Sequence, residues 1–107
     1  MEYNFGNPDD PIAGATDRAV ENGVVAVASA GNYYFDERLR GRDKIGTPGV
    51  ARKAITVGRS MDNEGVISYY SSRGPVLWYD SWYDDYGNRY SLMKPDIVAP
   101  GENICAA

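Results

Sequence analysis

Val24-Val25-Ala26-Val27-Ala28-Ser29-Ala30-Gly31-Asn32 is the stretch whose reading decides the fold. It is a short run of β-branched and small residues closed by Gly-Asn. A run of this length bounded by turn residues reads as a strand buried on both faces, inside a parallel sheet. Its end carries the functional interest. A polar side chain directly after a glycine, where a buried parallel strand gives way to a loop, stands where open α/β sheets put their ligands.

Working outward, the residues before this strand predict a helix. Asp10 is a candidate N-cap with Pro11 at the first helical position. Ile12, Ala15, Ala19 and Val20 recur at helical spacing as an apolar stripe, Arg18 complements the C-terminal dipole, and Asn22-Gly23 is a stop. Small residues at Ala13, Gly14 and Ala15 let this helix lie close to a sheet. Met1 to Gly6 reads as the tail of a further strand, completing a βαβ unit with a right-handed crossover. After the central strand, Tyr33 to Lys44 is a charged, tyrosine-rich surface excursion with a helical turn at Asp36–Leu39. Ala54 to Gly58 is a third buried strand and Val66-Ile67-Ser68 a short extended piece. Pro95 to Gly101 is a last strand bounded by prolines. Val76 to Tyr90 fits no period; Trp78, Tyr79, Trp82, Tyr83, Tyr86 and Tyr90 alternate there with Asp80, Asp84 and Asp85. The predicted class is α/β, a parallel sheet with flanking helices.

Composition narrows the chemistry. The chain has 107 residues, one domain's worth or a piece of a larger one, with a net charge of −4 that argues against nucleic acid as a partner. No apolar stretch approaches the roughly 18 or more residues of a membrane span. Cys105 is the single cysteine. It excludes an internal disulfide and a thiolate zinc cluster, and a lone cysteine beside an apolar strand end reads as a small buried hydrophobe. The chain has no histidine. The commonest general base and metal ligand are therefore missing, and neither a Ser-His-Asp nor a Cys-His site can be assembled from these residues alone.

Four segments, in order, resemble the subtilisin-like serine peptidases, or subtilases. Gly23 to Asn32 resembles the family's strand ending in its oxyanion-hole asparagine. Gly46-Thr47-Pro48-Gly49 with Ala54-Ile55-Thr56-Val57-Gly58 resembles its TPG…AITVG segment. Ser68 to Pro75 resembles SxxSSRGP, and Lys94 to Gly101 resembles KPDIVAPG. The resemblance implies a subtilisin-like three-layer fold, incomplete in this chain. It also implies a serine endopeptidase that cleaves peptide or protein substrates through an acyl-enzyme, most of whose relatives are secreted. The family's Asp, His and Gly-Thr-Ser motifs are not among these residues. The chain is thus expected to be an internal portion of the catalytic domain (1–107, with an insertion at about 76–90), inactive by itself and prone to self-association. The alternative is a non-catalytic peptide- or protein-binding module derived from the same fold.

The resemblance assigns roles to particular positions. Asn32 would donate to the oxyanion of the tetrahedral intermediate; without the family match it reads as a turn cap after a strand. Phe5-Gly6 would be the edge strand that pairs with substrate backbone. Ser29-Ala30-Gly31 and Gly46-Thr47-Pro48 would wall the primary specificity pocket, their small side chains leaving room for a large apolar substrate group. The chemistry needs no cofactor. Asp96 matches a carboxylate that in some relatives joins the backbone carbonyls of Gly49, Ala51 and Ala54 around a structural calcium or sodium ion, and oxygen-only ligation suits either; a purely structural aspartate is the other reading. Asp62 to Gly65 and Asp84 to Asn88 resemble calcium loops only superficially and read as solvated turns. The aromatic 76–90 segment is either a binding surface or an insertion packed on its own body.

Overall fold

Helix α1 spans Pro11–Glu21 and begins where the local chemistry places it, because the Asp10 carboxylate accepts the Ile12 N–H at 2.9 Å. It ends at Asn22, whose N–H reaches the Ala19 and Arg18 carbonyls, and Gly23 follows at φ 93°. The computed structural model describes residues 6–36, 44–61, 65–76 and 92–105. Phe5 and the rest of the first predicted strand lie outside these residues. So do most of the Asp36–Leu39 turn, most of the two acidic loops, and the aromatic segment beyond Val76.

Strands β1 (Val27–Ser29), β2 (Ile55–Ser60) and β3 (Ile97–Pro100) form one parallel sheet in the order β1-β2-β3. Val27 pairs with Ile55 and Val57 with Ile97. The α/β class is as predicted, in incomplete form: one helix and a small parallel sheet. Successive side chains on a strand alternate faces. Val27, Ile55, Val57 and Ile97 therefore share one face, and Ala28, Thr56 and Gly58 the other.

Among the described residues a packed layer lies against the second face at β1 and β2. Ala13 of α1, Ala30, Ile45, Val50, Ala51, Ala54 and Val76 make the core beneath it. On the first face Val27 is 64 % and Ile97 54 % exposed. The central strand thus departs from its sequence reading in two ways. It is three residues long rather than spanning 24–30, and it is buried on one face rather than two. Its apolar run is a two-sided pattern, and among the described residues only one side has a partner layer.

The predicted stripe of α1 is likewise rotated. Ile12 is 61 % exposed, whereas Ala13 and Asp17 are buried. Asp17 turns inward because its two carboxylate oxygens accept the Lys53 N–H at 2.7 Å and the Arg52 N–H at 3.3 Å. These bonds tie α1 to the loop that precedes β2. Cys105, expected to be buried, is exposed; it lies beyond β3, past the end of the sheet's packing. Val76 and Leu92 exchange both backbone hydrogen bonds, at 2.9 and 3.2 Å, so the chain leaves and re-enters the described body at one antiparallel bridge.

Candidate functional site

The C-terminal ends of the three parallel strands converge on a cavity of about 310 Å³. Ser29 and Asn32 reach it from β1, Val57 to Arg59 from β2, and Ala99 to Gly101 from β3. This is the location at which open α/β sheets bind ligands.

Asn32 is exposed at the rim, and its backbone is fixed from both sides. Gly31 stands at φ 103°, a conformation that suits glycine, and a Cβ there would come within 2.8 Å of the Tyr33 ring. The Gly31 carbonyl accepts the Ser72 N–H at 2.8 Å, and the Ser72 hydroxyl accepts the Tyr33 N–H at 3.0 Å. Ser72 is fully buried. It thus clamps both neighbours of Asn32, which is itself among the residues lining the cavity.

The two expected pocket walls meet. The Gly46 N–H donates to the Ala30 carbonyl at 3.2 Å, and the Gly6 N–H donates to the Ile45 carbonyl at 3.1 Å, so Gly6, Ile45-Gly46 and Ala30 lie side by side. Thr47 to Val50 form a turn closed by the Val50 N–H on the Gly46 carbonyl. Gly49 packs so closely that a Cβ would sit 2.6 Å from the Ser29 carbonyl oxygen. Ser29 and Pro48 are exposed at the opening, Gly31, Gly46 and Thr47 half-buried, and Ala30 is a core residue that offers only its backbone. The Thr47 hydroxyl is buried and has no hydrogen-bond partner among the described residues.

A polar network closes the far side. The Arg59 guanidinium donates to Glu102 at 2.8 Å and to the Ser68 hydroxyl at 3.0 Å, and Ser68 donates to the same Glu102 oxygen at 2.7 Å. Arg59 also lies over the Tyr70 ring. Nearer β3, Asp96 accepts the Thr56 N–H and the Lys94 ammonium, both at 2.7 Å on the same oxygen. Of the three carbonyls grouped with Asp96 by the resemblance, Ala54 accepts Lys94 at 2.6 Å and Gly49 accepts the Thr56 hydroxyl at 2.6 Å.

Two of these carboxylates titrate below their ordinary range. Burial, the largest single influence, pushes Asp96 up, but the hydrogen bonds from Lys94 and Thr56 and the Lys94 charge together outweigh it. Glu102 is held down first by the Ser68 hydroxyl and then by Arg59, against an opposing push from burial. A carboxylate whose folded pKa is depressed contributes stability that is complete above its unfolded value, about 3.9 for Asp and 4.3 for Glu. That contribution is lost as the pH falls through the folded value. The melting temperature is therefore expected to hold from neutrality to about pH 5 and to drop below about pH 4, with a shallower drop in Asp96→Asn and Glu102→Gln. A melting temperature that climbs as the pH is lowered through this range would contradict the assignment.

Sequence reasoning singled out Asn32 and the wall segments but did not single out Ser72, Arg59 and Lys94, which bond to the residues around them. Ser72 and Lys94 sit inside two of the recognised segments, SSRGP and KPD, which is the signal that was present. Their partners are remote in sequence, which hid their roles.

Comparison with known proteins gives the family. The family model described as "Subtilase family" matches residues 3–107. The chain is 35 % identical over 102 residues to the serine protease AprX of Bacillus subtilis, covering 90 % of this chain and 19 % of that protein. It is 35 % identical over 113 residues to pyrolysin of Pyrococcus furiosus, covering 89 % of this chain and 8 % of that protein. An uncharacterized Aquifex aeolicus protein is 31 % identical over 104 residues, covering 82 % of this chain and 41 % of its own length. The chain spans less than half the length of each of these relatives. No helix among the described residues is long and apolar enough to cross a membrane.

Proposed function

The chain belongs to the subtilase family, and from that premise we propose that it builds the substrate cleft and half of the oxyanion hole of a serine endopeptidase. The observation that supports this reading is that Asn32 lines the strand-end cavity together with Ser29 and Gly31, while Ala30 between them is hydrogen-bonded to Gly46. In acyl transfer the carbonyl oxygen of the scissile bond gains charge at the tetrahedral intermediate, and a donor held in place before the reaction stabilises that charge. Asn32 is the donor. The Gly46–Gly49 turn and Ser29 to Gly31 receive the substrate side chain beside it, and Phe5-Gly6, by the family resemblance, receives substrate backbone. The nucleophile and base of a triad come from residues other than these, since no histidine is present. Secretion, implied by the family resemblance, is part of the same proposal.

The exposed sheet face bears on the chain alone. Val25, Val27, Ile55 and Ile97 are 76, 64, 41 and 54 % exposed, a contiguous apolar surface that favours association. The purified 107-residue chain is expected to self-associate at micromolar concentration by light scattering and to leave casein intact. The protein read from the complete open reading frame is expected to hydrolyse casein and to be labelled by a fluorophosphonate. A reading frame with no Gly-Thr-Ser nucleophile codons would sink the peptidase reading and favour the peptide-binding module, while casein cleavage by the pure chain would refute its inactivity. A clean monomer by light scattering would count against the self-association.

A further inference from the structure

The cradle formed by Asp96 and the carbonyls before β2 is the place where the family resemblance puts a calcium or sodium ion, and its donors do not fit one here. Asp96 is the cradle's one carboxylate, and no group of three or more acidic, histidine or cysteine side chains that could hold a metal forms among the described residues. The Lys94 side chain is 1 % exposed and runs into the cradle, where its ammonium lies 2.6 Å from the Ala54 carbonyl and 2.7 Å from Asp96. Calcium–oxygen distances are about 2.3–2.6 Å, so the ammonium stands on these two oxygens almost as closely as a metal would. A metal taking the same oxygens would face the positive charge of the buried Lys94 side chain at contact distance, and like charges that close repel. Thr56 engages two of the cradle's oxygens as well. The Thr56 N–H occupies the same Asp96 oxygen, and the Thr56 hydroxyl occupies the Gly49 carbonyl.

We propose that the Lys94 ammonium is the cation of this site, so that the cleft-wall segment from Gly49 to Ala54 is fastened to the sheet by a side chain of the chain itself, without metal. Lys94 reaches across from the residues preceding β3 and holds the Ala54 carbonyl at the entry to β2, while Asp96 neutralises its charge and pins the Thr56 N–H. The wall therefore keeps its place under chelation. This inference concerns the cradle alone and stands independently of the peptidase reading.

The test is thermal unfolding of the 107-residue chain in calcium, in sodium, in EDTA and in choline chloride of matched ionic strength, beside Asp96→Asn and Lys94→Met. Methionine keeps the unbranched apolar stem of Lys94 and removes the charge. The wild-type melting temperature is expected to be the same in all four solutions. Lys94→Met is expected to melt at least about 8 °C lower, because it removes the counter-charge of Asp96 and the donor to the Ala54 carbonyl. A wild-type melting temperature that rises with calcium or sodium, with the rise abolished in Asp96→Asn, would overturn the proposal, and so would an unchanged melting temperature in Lys94→Met. If Lys94→Met does not fold, the wild-type comparison with Asp96→Asn decides by itself.

Discussion

Asn32→Ala, made in the active peptidase proposed above, is expected to lower kcat by about 10²–10³ with KM little changed, the size of effect established for the oxyanion-hole asparagine of subtilisin itself. The split between the two constants follows from where the charge appears. In the bound substrate the scissile carbonyl is neutral and gains little from the Asn32 amide. At the tetrahedral intermediate the oxygen is an anion, and a donor that needs no reorganisation is worth far more. An interaction made only in the transition state lowers kcat when it is removed. The geometry supports prior organisation, since the Gly31 carbonyl and the Tyr33 N–H are both held by Ser72. Steady-state hydrolysis of a chromogenic peptide reads the result. A rise in KM with kcat intact would make Asn32 a substrate-binding residue and remove it from the oxyanion hole.

How much of this was legible in the sequence depended on how far apart the interacting residues lie. The ends of α1 were readable because Asp10, Pro11, Asn22 and Gly23 act on backbone within a few residues of themselves. The buried side of α1 was not. It is set by Asp17, which caps N–H groups of Arg52 and Lys53 more than 30 residues away, and no helical period in 11–21 announces that contact. A carboxylate at that position looks like a solvated residue until its remote partners are known.

The site divides in the same way. A Gly-Asn at the end of an apolar strand is a local signal, and the Asn32 it marks is among the residues lining the strand-end cavity. The residues that hold it are distant. Ser72 crosses from 39 positions away to Tyr33, and Lys94 from 40 positions away to Ala54. Val24 to Ala30 misled for a different reason. An apolar strand pattern states that both faces tolerate burial, not that both are covered, and in this chain the Val27 face has no layer over it among the described residues. Cys105 erred in the same sense, because apolar neighbours in sequence did not bring a packed environment.

The second large effect is expected from Gly49→Ala, a single methyl at the seam between the two cleft walls. Its Cβ would lie 2.6 Å from the Ser29 carbonyl oxygen, 3.0 Å from that of Gly46 and 3.2 Å from a Thr56 methyl. The first two are backbone atoms, so no side-chain rotation relieves the contact. Gly46 is held to Ala30 and Val50 by hydrogen bonds, and Ser29 is part of β1. Relief therefore requires the Gly46–Val50 turn to move away from the strand end. That movement would strain the Thr56 hydroxyl bond to Gly49 and the Gly46 bond to Ala30 together. Overpacking of this kind costs about 1–3 kcal/mol, and contact with backbone on two sides argues for the upper end. For a domain of this size that corresponds to a melting temperature roughly 10–20 °C lower. In the active peptidase the same shift widens the walls, so KM for a large apolar substrate side chain should rise while the Asn32 side of the site, held by Ser72, keeps kcat within about threefold. Val76→Ala, which opens space in the core outside this turn, separates general destabilisation from wall displacement: it should lower the melting temperature and leave KM unchanged. A Gly49→Ala protein with wild-type melting and KM would mean that the Ser29–Gly49 contact does not define the pocket.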